Sequence, residues 1–194
     1  MILRLYSILA MLFIVGGCGA HKRVIYPVSK VHPVPHRAPV LDNAVKKHYL
    51  HAVNRMRAEP RQCGNKIYRA AKPLRWNDRL YHAAYEHSKD MARCSYFSHS
   101  GSGTKSDWTA KAQNLGRCSS FSNRIENNGY LRHRGISENI AYGAASVEQV
   151  MKQWIHSEGH CRNIMNPDYS DFGMAQVRSE NGTYYWTQNF GIHQ

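Results

Sequence analysis

Several patterns in the 194-residue chain have residue types and spacings that could do chemistry. His156 and His160 stand four apart with Glu158 between them. On a continuous helix of 3.6 residues per turn, both imidazoles face one side and could share a cation. Gly159 weakens such a helix, and the complete His-Glu-x-x-His zinc peptidase arrangement is absent. Ser102-Gly103-Thr104-Lys105 has the Ser-x-x-Lys spacing of a serine acyl-enzyme. It lies in a Gly/Ser-rich stretch, 98–106, without the companion motifs, so a surface loop is the better reading. Asn181-Gly182-Thr183 fits a glycosylation acceptor, but Asn-Gly is also the strongest short signal for a hairpin turn. There is no glycine-rich phosphate loop.

The cysteines depend on compartment, and the N-terminus indicates which. Residues 5–15 form a mostly apolar run after Arg4, too short to span a bilayer but suited to a secretory leader. Val15-Gly16-Gly17-Cys18 resembles a bacterial lipobox, which implies cleavage before Cys18, lipid attachment to it and work outside the cytoplasm. Gly19, rather than Asp, after the cysteine points to the outer membrane, with the chain on the periplasmic side. Removing Cys18 leaves Cys63, Cys94, Cys118 and Cys161, an even set in an oxidising compartment, with three possible pairings. No C-x-x-C spacing exists, which argues against a structural zinc cluster.

Composition is globular, at 42% hydrophobic and 20% charged, which excludes disordered, collagen-like and multi-span membrane chains. From Cys18 onward, 25 basic residues face 13 acidic ones. Such an excess attracts anionic surfaces without choosing among them. Residues 21–40 hold four basic residues, no acid and four of the seven prolines. They read as a semi-rigid basic tether reaching about 60 Å at polyproline rise. Tyrosines interleave with basic residues, as at Tyr130-Leu131-Arg132-His133-Arg134, a mixture that can bind single-stranded nucleic acid. The extracytoplasmic placement argues against that partner and favours anionic lipid or wall polymer.

The elements that must position any site are legible in part. Asp42 can cap a helix with Val45, Tyr49, Ala52, Val53 and Met56 on one face, ending before Pro60. A second helix starts near Asn77, with Leu80, Ala83, Ala84, His87 and Met91 aligned. A third follows a Ser146/Gln149 capping box and buries Val147, Val150, Met151, Trp154 and Ile155. Residues 172–177 and 184–190 flank the Asn-Gly turn as a hairpin, and 139–143 read as a short strand. The class is α+β rather than a run of βαβ units.

Six segments, in order, resemble the CAP superfamily (cysteine-rich secretory proteins, antigen 5, pathogenesis-related 1), bacterial branch. They run from Leu50-His51-Ala52-Val53-Asn54 through Leu74-Arg75-Trp76-Asn77 and Tyr96-Phe97-Ser98-His99 to Ser137-Glu138-Asn139-Ile140. Trp154-Ile155-His156-Ser157-Glu158-Gly159-His160-Cys161 and Tyr185-Trp186-Thr187-Gln188-Asn189-Phe190-Gly191 complete the set. The resemblance implies an α-β-α sandwich with a central short antiparallel sheet and one open cleft, in a domain covering 41–194 after a leader, 1–17, and the tether, 18–40.

In that family the cleft holds two histidines and two acidic residues, and the resemblance places His99, His160 and Glu138 there as metal or catalytic residues. Ser157 occupies the position of the second acid, with Glu158 one step later, about 100° further around a helix. Asn139, Ser157 and Glu158 are thus expected to border the cleft. The resemblance also implies a Cys63–Cys161 disulfide, leaving Cys94 for Cys118. Residues 119–134 have no place in the family pattern and read as a polar insertion beside the cleft, able to set ligand choice. Two imidazoles and a carboxylate suit a weakly bound zinc or other divalent cation, or acid–base work on water. The expectation is an anchored binding module for an anionic envelope component or apolar ligand. The alternative is a hydrolase, a peptidase or cell-envelope enzyme, but no nucleophile with base and orienter can be assembled.

Overall fold

The computed structural model describes residues 31–193. The leader, Cys18 and the start of the basic segment lie outside the described residues. The chain folds as α1 (Asn43–Arg57), β1 (Arg61–Cys63), β2 (Lys66–Tyr68), β3 (Arg75–Trp76), α2 (Asp78–Cys94), α3 (Trp108–Ala112) and α4 (Phe121–Asn127). Then come β4 (His133–Tyr142), α5 (Val147–His156), α6 (Glu158–Met165), β5 (Asp171–Arg178) and β6 (Tyr184–His193).

The expected caps are in place. Asp42 accepts the Ala44 amide at 2.6 Å, Asn77 accepts the Arg79 and Leu80 amides, and Ser146 accepts the Gln149 amide. The return half of the Ser146 box differs: the Gln149 side chain accepts from Ala145 N, one residue early. Helix α2 stops where Ser95 turns left-handed (φ 50°).

The principal sheet has the order β3-β5-β6-β4. Both long pairings are antiparallel, and two-residue β3 adds a parallel edge to β5. Strand β4 runs ten residues, where sequence indicates only 139–143. Its first half is half-buried and rich in polar residues, which hides the strand period.

Alternation along β6 builds both layers. Trp186 and Phe190 face a core made with α1, α5 and α6, while Tyr185 belongs to a cluster with Met91 of α2 and Ile140. The in-between polar residues are buried too. Thr187 accepts from Ser88 Oγ at 2.9 Å, and Asn189 donates to the Leu80 carbonyl at 3.2 Å. Helix α2 therefore lies on one face of the sheet and α1, α5 and α6 on the other, an α-β-α sandwich. The approach of α2 is so close that a Cβ at Gly173 would overlap the Leu80–Tyr81 peptide. Only glycine fits there.

Residues 31–40 carry no regular structure but are docked rather than loose. Asn127 clamps Val34 from both sides, accepting its amide and donating to its carbonyl, each at 3.0 Å. Asn128 accepts the His36 amide, Trp108 Nε1 donates to Val34 O, and Tyr81 OH donates to Pro39 O. The His36 ring sits between Tyr85 and Trp108, where burial first, then the nearby Lys89 charge, pushes its pKa down to about 4. The sequence predicts a free extended tether here, but its last ten residues form a strap across α2, α3 and α4. Among the described residues no helix is long and apolar enough to cross a membrane.

Candidate functional site

Strand β4 is the free edge of the sheet, and the residues expected to do chemistry gather around it. Glu138 points to the α2 face. Its neighbour Asn139 must point to the opposite face, because strand side chains alternate. His99 comes from the loop after α2, and His160 from the first turn of α6.

His99 Nδ1 lies 3.0 Å from Glu138 Oε1. The Glu138 carboxylate is 1% exposed and both its oxygens accept from Arg124 Nη2, at 3.1 and 2.9 Å. Burial alone would raise the Glu138 pKa, but the Arg124 charge, His87 and the His99 hydrogen bond hold it down at about 2. An ionised Glu138 makes His99 Nδ1 the donor, so in the neutral form of this half-exposed ring Nε2 carries the lone pair. His87, beneath, donates Nε2–H to Ser98 O at 2.8 Å. Burial, then the Arg124 charge, lowers its pKa to about 4, so it is neutral at physiological pH.

Sequence reasoning misses Arg124, the residue that organises this arrangement. It sits on α4, in the segment read as a polar insertion, and is itself 1% exposed. Its Nη1 donates to Ser119 O and Oγ at 3.1 Å, and its Nη2 also reaches His99 O at 2.8 Å. One guanidinium thus joins α4, the His99 loop and β4. The available signal is the Ser120-x-x-Asn123 cap, which forms a reciprocal box at the start of α4.

His160 borders an open cleft of about 460 Å³ with Phe97, Tyr142, Trp154, Gln153 and Ser157. Its pKa is lowered by burial and then by the charge of His99. The Phe97 and Tyr142 rings pack at 4.8 Å between centroids, yet remain 47% and 56% exposed. They form an aromatic shelf beside His160; His99 is not among the residues lining this cleft.

The other candidates divide. Ser157 borders the cleft as expected. Asn139 does not: it is fully buried, donating to His160 O at 3.2 Å and Gln188 Oε1 at 3.1 Å and accepting from Asn163 at 2.8 Å. It ties the sheet to α6. Glu158, also expected at the cleft, does not border it: beyond the helix break at Ser157 it lies over Gly64 and 3.6 Å from Arg162. The helix breaks at Ser157, so His156 and His160 do not share a face. His156 bonds Lys152 O at 2.7 Å. Ser102 serves a loop anchor: its Oγ donates to Asp90 at 2.7 Å, and Asp90 also accepts from Tyr96 OH and Ser106 Oγ.

Cys63 and Cys161 are joined, 98 residues apart in sequence. The second expected bond is not formed, since Cys94 and Cys118 are exposed free thiols. The loop 102–106 separates them. Cys94 Sγ lies 3.1 Å from Ser106 Oγ and 3.4 Å from Thr104 Oγ1, while Cys118 Sγ packs over Gly103.

Among the described residues no three His, Cys, Asp or Glu side chains are gathered closely enough to hold a metal. Glu138 does not fit as a ligand, because a buried guanidinium and His99 take up its oxygens. The donors that fit are His99 Nε2 and His160, with Glu138 fixing the ring of the first.

Comparison with known families matches residues 50–190 to CAP, the cysteine-rich secretory protein family. The chain belongs to the CAP family. Among curated relatives, the uncharacterized protein YkwD of Bacillus subtilis (strain 168) is 32% identical over 119 residues, 61% of this chain and 39% of its own length. The uncharacterized membrane protein YlbC of the same organism is 30% identical over 117 residues, 60% of this chain and 28% of its own. The match thus spans well under half of either relative. An outer surface protein from Borrelia burgdorferi superposes with a TM-score of 0.56 at 17% identity, over 82% of this chain and 99% of that one. An extracellular SCP-domain protein from Bacillus anthracis str. Ames gives 0.55 at 21% identity, over 81% and 45%. These likenesses establish the CAP fold for the sandwich.

Proposed function

We propose that this CAP protein is a lipid-anchored recognition module of the bacterial cell envelope whose cleft binds a ligand on the Phe97/Tyr142 shelf between His99 and His160. The observation that carries this reading is the Arg124 grip on Glu138. A carboxylate neutralised by a buried guanidinium and lacking a proton is a poor general acid and a poor metal ligand. Among the described residues no hydroxyl or thiol bordering the cleft is hydrogen-bonded to either imidazole, so no activated nucleophile is assembled. What remains is an oriented imidazole, two exposed aromatic faces, and the Gln153 and Ser157 side chains as polar contacts. These suit binding with orientation. A divalent cation held by His99 and His160 would supply Lewis-acid polarisation to a bound oxygen.

The second reading, a hydrolase, has one observation in its favour: the 3.0 Å His99–Glu138 contact is the base-and-orienter half of a catalytic array. One experiment separates the two. Envelope extract and defined peptidoglycan, peptide and lipid-ester substrates are incubated with wild type and His99→Ala. The recognition reading expects retention of a ligand that weakens about tenfold in His99→Ala, as for a lost hydrogen bond to a charged or well-oriented group, with no turnover. Turnover by wild type that vanishes in His99→Ala overturns it.

Anchoring is supported by the leader and lipobox and by the outer-surface and membrane descriptions of relatives. Periplasmic-side attachment to the outer membrane is read from Gly19. The wild type is expected in the membrane fraction and Cys18→Ser outside it or unprocessed. A soluble, unacylated wild type would remove the anchor from the proposal.

A further inference from the structure

A second concavity, of about 760 Å³, shares no lining residue with the cleft. It lies between the strap, at Pro33 and Pro35, and the turn after α4, and its polar wall consists of Arg79, His82, Asn128, Arg132 and His193. Neither the Arg79 nor the Arg132 guanidinium has a hydrogen-bond acceptor or a carboxylate partner among the described residues. The acid nearest in sequence, Asp78, is already committed to Lys46 Nζ and Trp76 Nε1, both at 2.8 Å.

Two residues with left-handed backbone, Gly129 and Arg132, line the groove. Gly129, at φ +87°, lies against Arg79: a Cβ there would be in ordinary contact, 3.7 Å from Cδ and Nε. Arg132 itself is left-handed, at φ +54°. A long side chain in that region is an outlier that glycine or asparagine would relieve, and such strain is retained where a side chain is needed.

We infer that this groove is a phosphoester-binding site, with Arg79 and Arg132 as the anion-holding pair. Planar guanidinium groups match phosphate oxygens in bidentate geometry, and two of them without internal counter-charge form an anion site rather than a structural ion pair. The phosphate can belong to a lipid headgroup or to a soluble phosphoester, and the test distinguishes these sources.

Glycerol 3-phosphate and inorganic phosphate are titrated into the full chain by calorimetry, for wild type, Arg79→Gln/Arg132→Gln and Arg132→Gly. Sedimentation with neutral phosphatidylcholine vesicles, with and without phosphatidylglycerol, runs in parallel. Saturable phosphoester binding that weakens about tenfold or more in the double variant is the expected result. Arg132→Gly is expected to lose affinity while its Tm rises, because the strain is relieved; a merely structural arginine would not give this combination. Arginine-dependent retention on phosphatidylglycerol vesicles, without binding of the soluble probes, assigns the phosphate to lipid. Equal behaviour of wild type and double variant in both assays overturns the proposal, as does a wild type that binds neither probe nor anionic vesicle.

Discussion

Arg124→Met is expected to destabilise the protein by about 3–5 kcal/mol, the cost of leaving one member of a buried ion pair without its partner. The side chains of Arg124 and Glu138 are 2% and 1% exposed, so water cannot compensate for either. The variant also removes the Arg124 donor from the His99 carbonyl, while the Ser119 carbonyl keeps the Gly101 amide at 2.7 Å. Replacing both members, as Arg124→Met/Glu138→Leu, is expected to recover most of the loss, since the uncompensated charge goes with the pair. Urea denaturation of the two singles and the double provides the cycle. An Arg124→Met loss below about 1 kcal/mol would show that the pair is dispensable.

Acid should probe the same bond without mutation. The Glu138 pKa is depressed from its ordinary 4.5 to about 2 in the folded state. Its contribution is therefore complete above pH 4.5 and drains away as pH falls towards 2, because the unfolded chain takes up the proton first. In Glu138→Gln that part of the acid dependence should be absent.

Cys63→Ser or Cys161→Ser is expected to cost about 4–5 kcal/mol, from the chain-entropy value for a loop near 100 residues. The bond closes 98 residues and holds the β1–β2 hairpin on α6, whose first turn carries His160. The loss should appear as a lower urea midpoint in oxidised protein, while Cys94→Ser and Cys118→Ser leave the midpoint nearly unchanged. A reduced-protein midpoint equal to the oxidised one would contradict it.

What sequence discloses follows from how local each signal is. Helices α1, α2 and α5 are legible because their caps and apolar stripes lie within one stretch of chain, and Asn181-Gly182 marks the β5–β6 turn for the same reason. Helix α4 is not, because only Phe121 and Ile125 of its seven residues are apolar. His99 and Glu138 are placed by family resemblance, yet Arg124, which governs them, acts across 25 and 14 residues of chain and belongs to no motif. Asn139 departs from its expected place because adjacency in a strand means opposite faces. The Cys94–Cys118 expectation comes from an even number of thiols, and parity carries no distance. The single parallel edge β3 is two residues long, shorter than any period can reveal.

The docked strap changes the geometry of attachment. If Cys18 is held at a membrane, the domain's hold on the segment reaches back as far as His32, whose carbonyl accepts from Gln113 at 2.9 Å, rather than starting after Val40. At polyproline rise, the 13 residues between Cys18 and His32 span about 40 Å, against about 65 Å for the 21 residues between Cys18 and Val40. Accessible volume scales as the cube of that radius, so a domain anchored at Cys18 would patrol about a quarter of the space that its sequence suggests. Within that smaller space the cleft meets each neighbouring envelope molecule correspondingly more often.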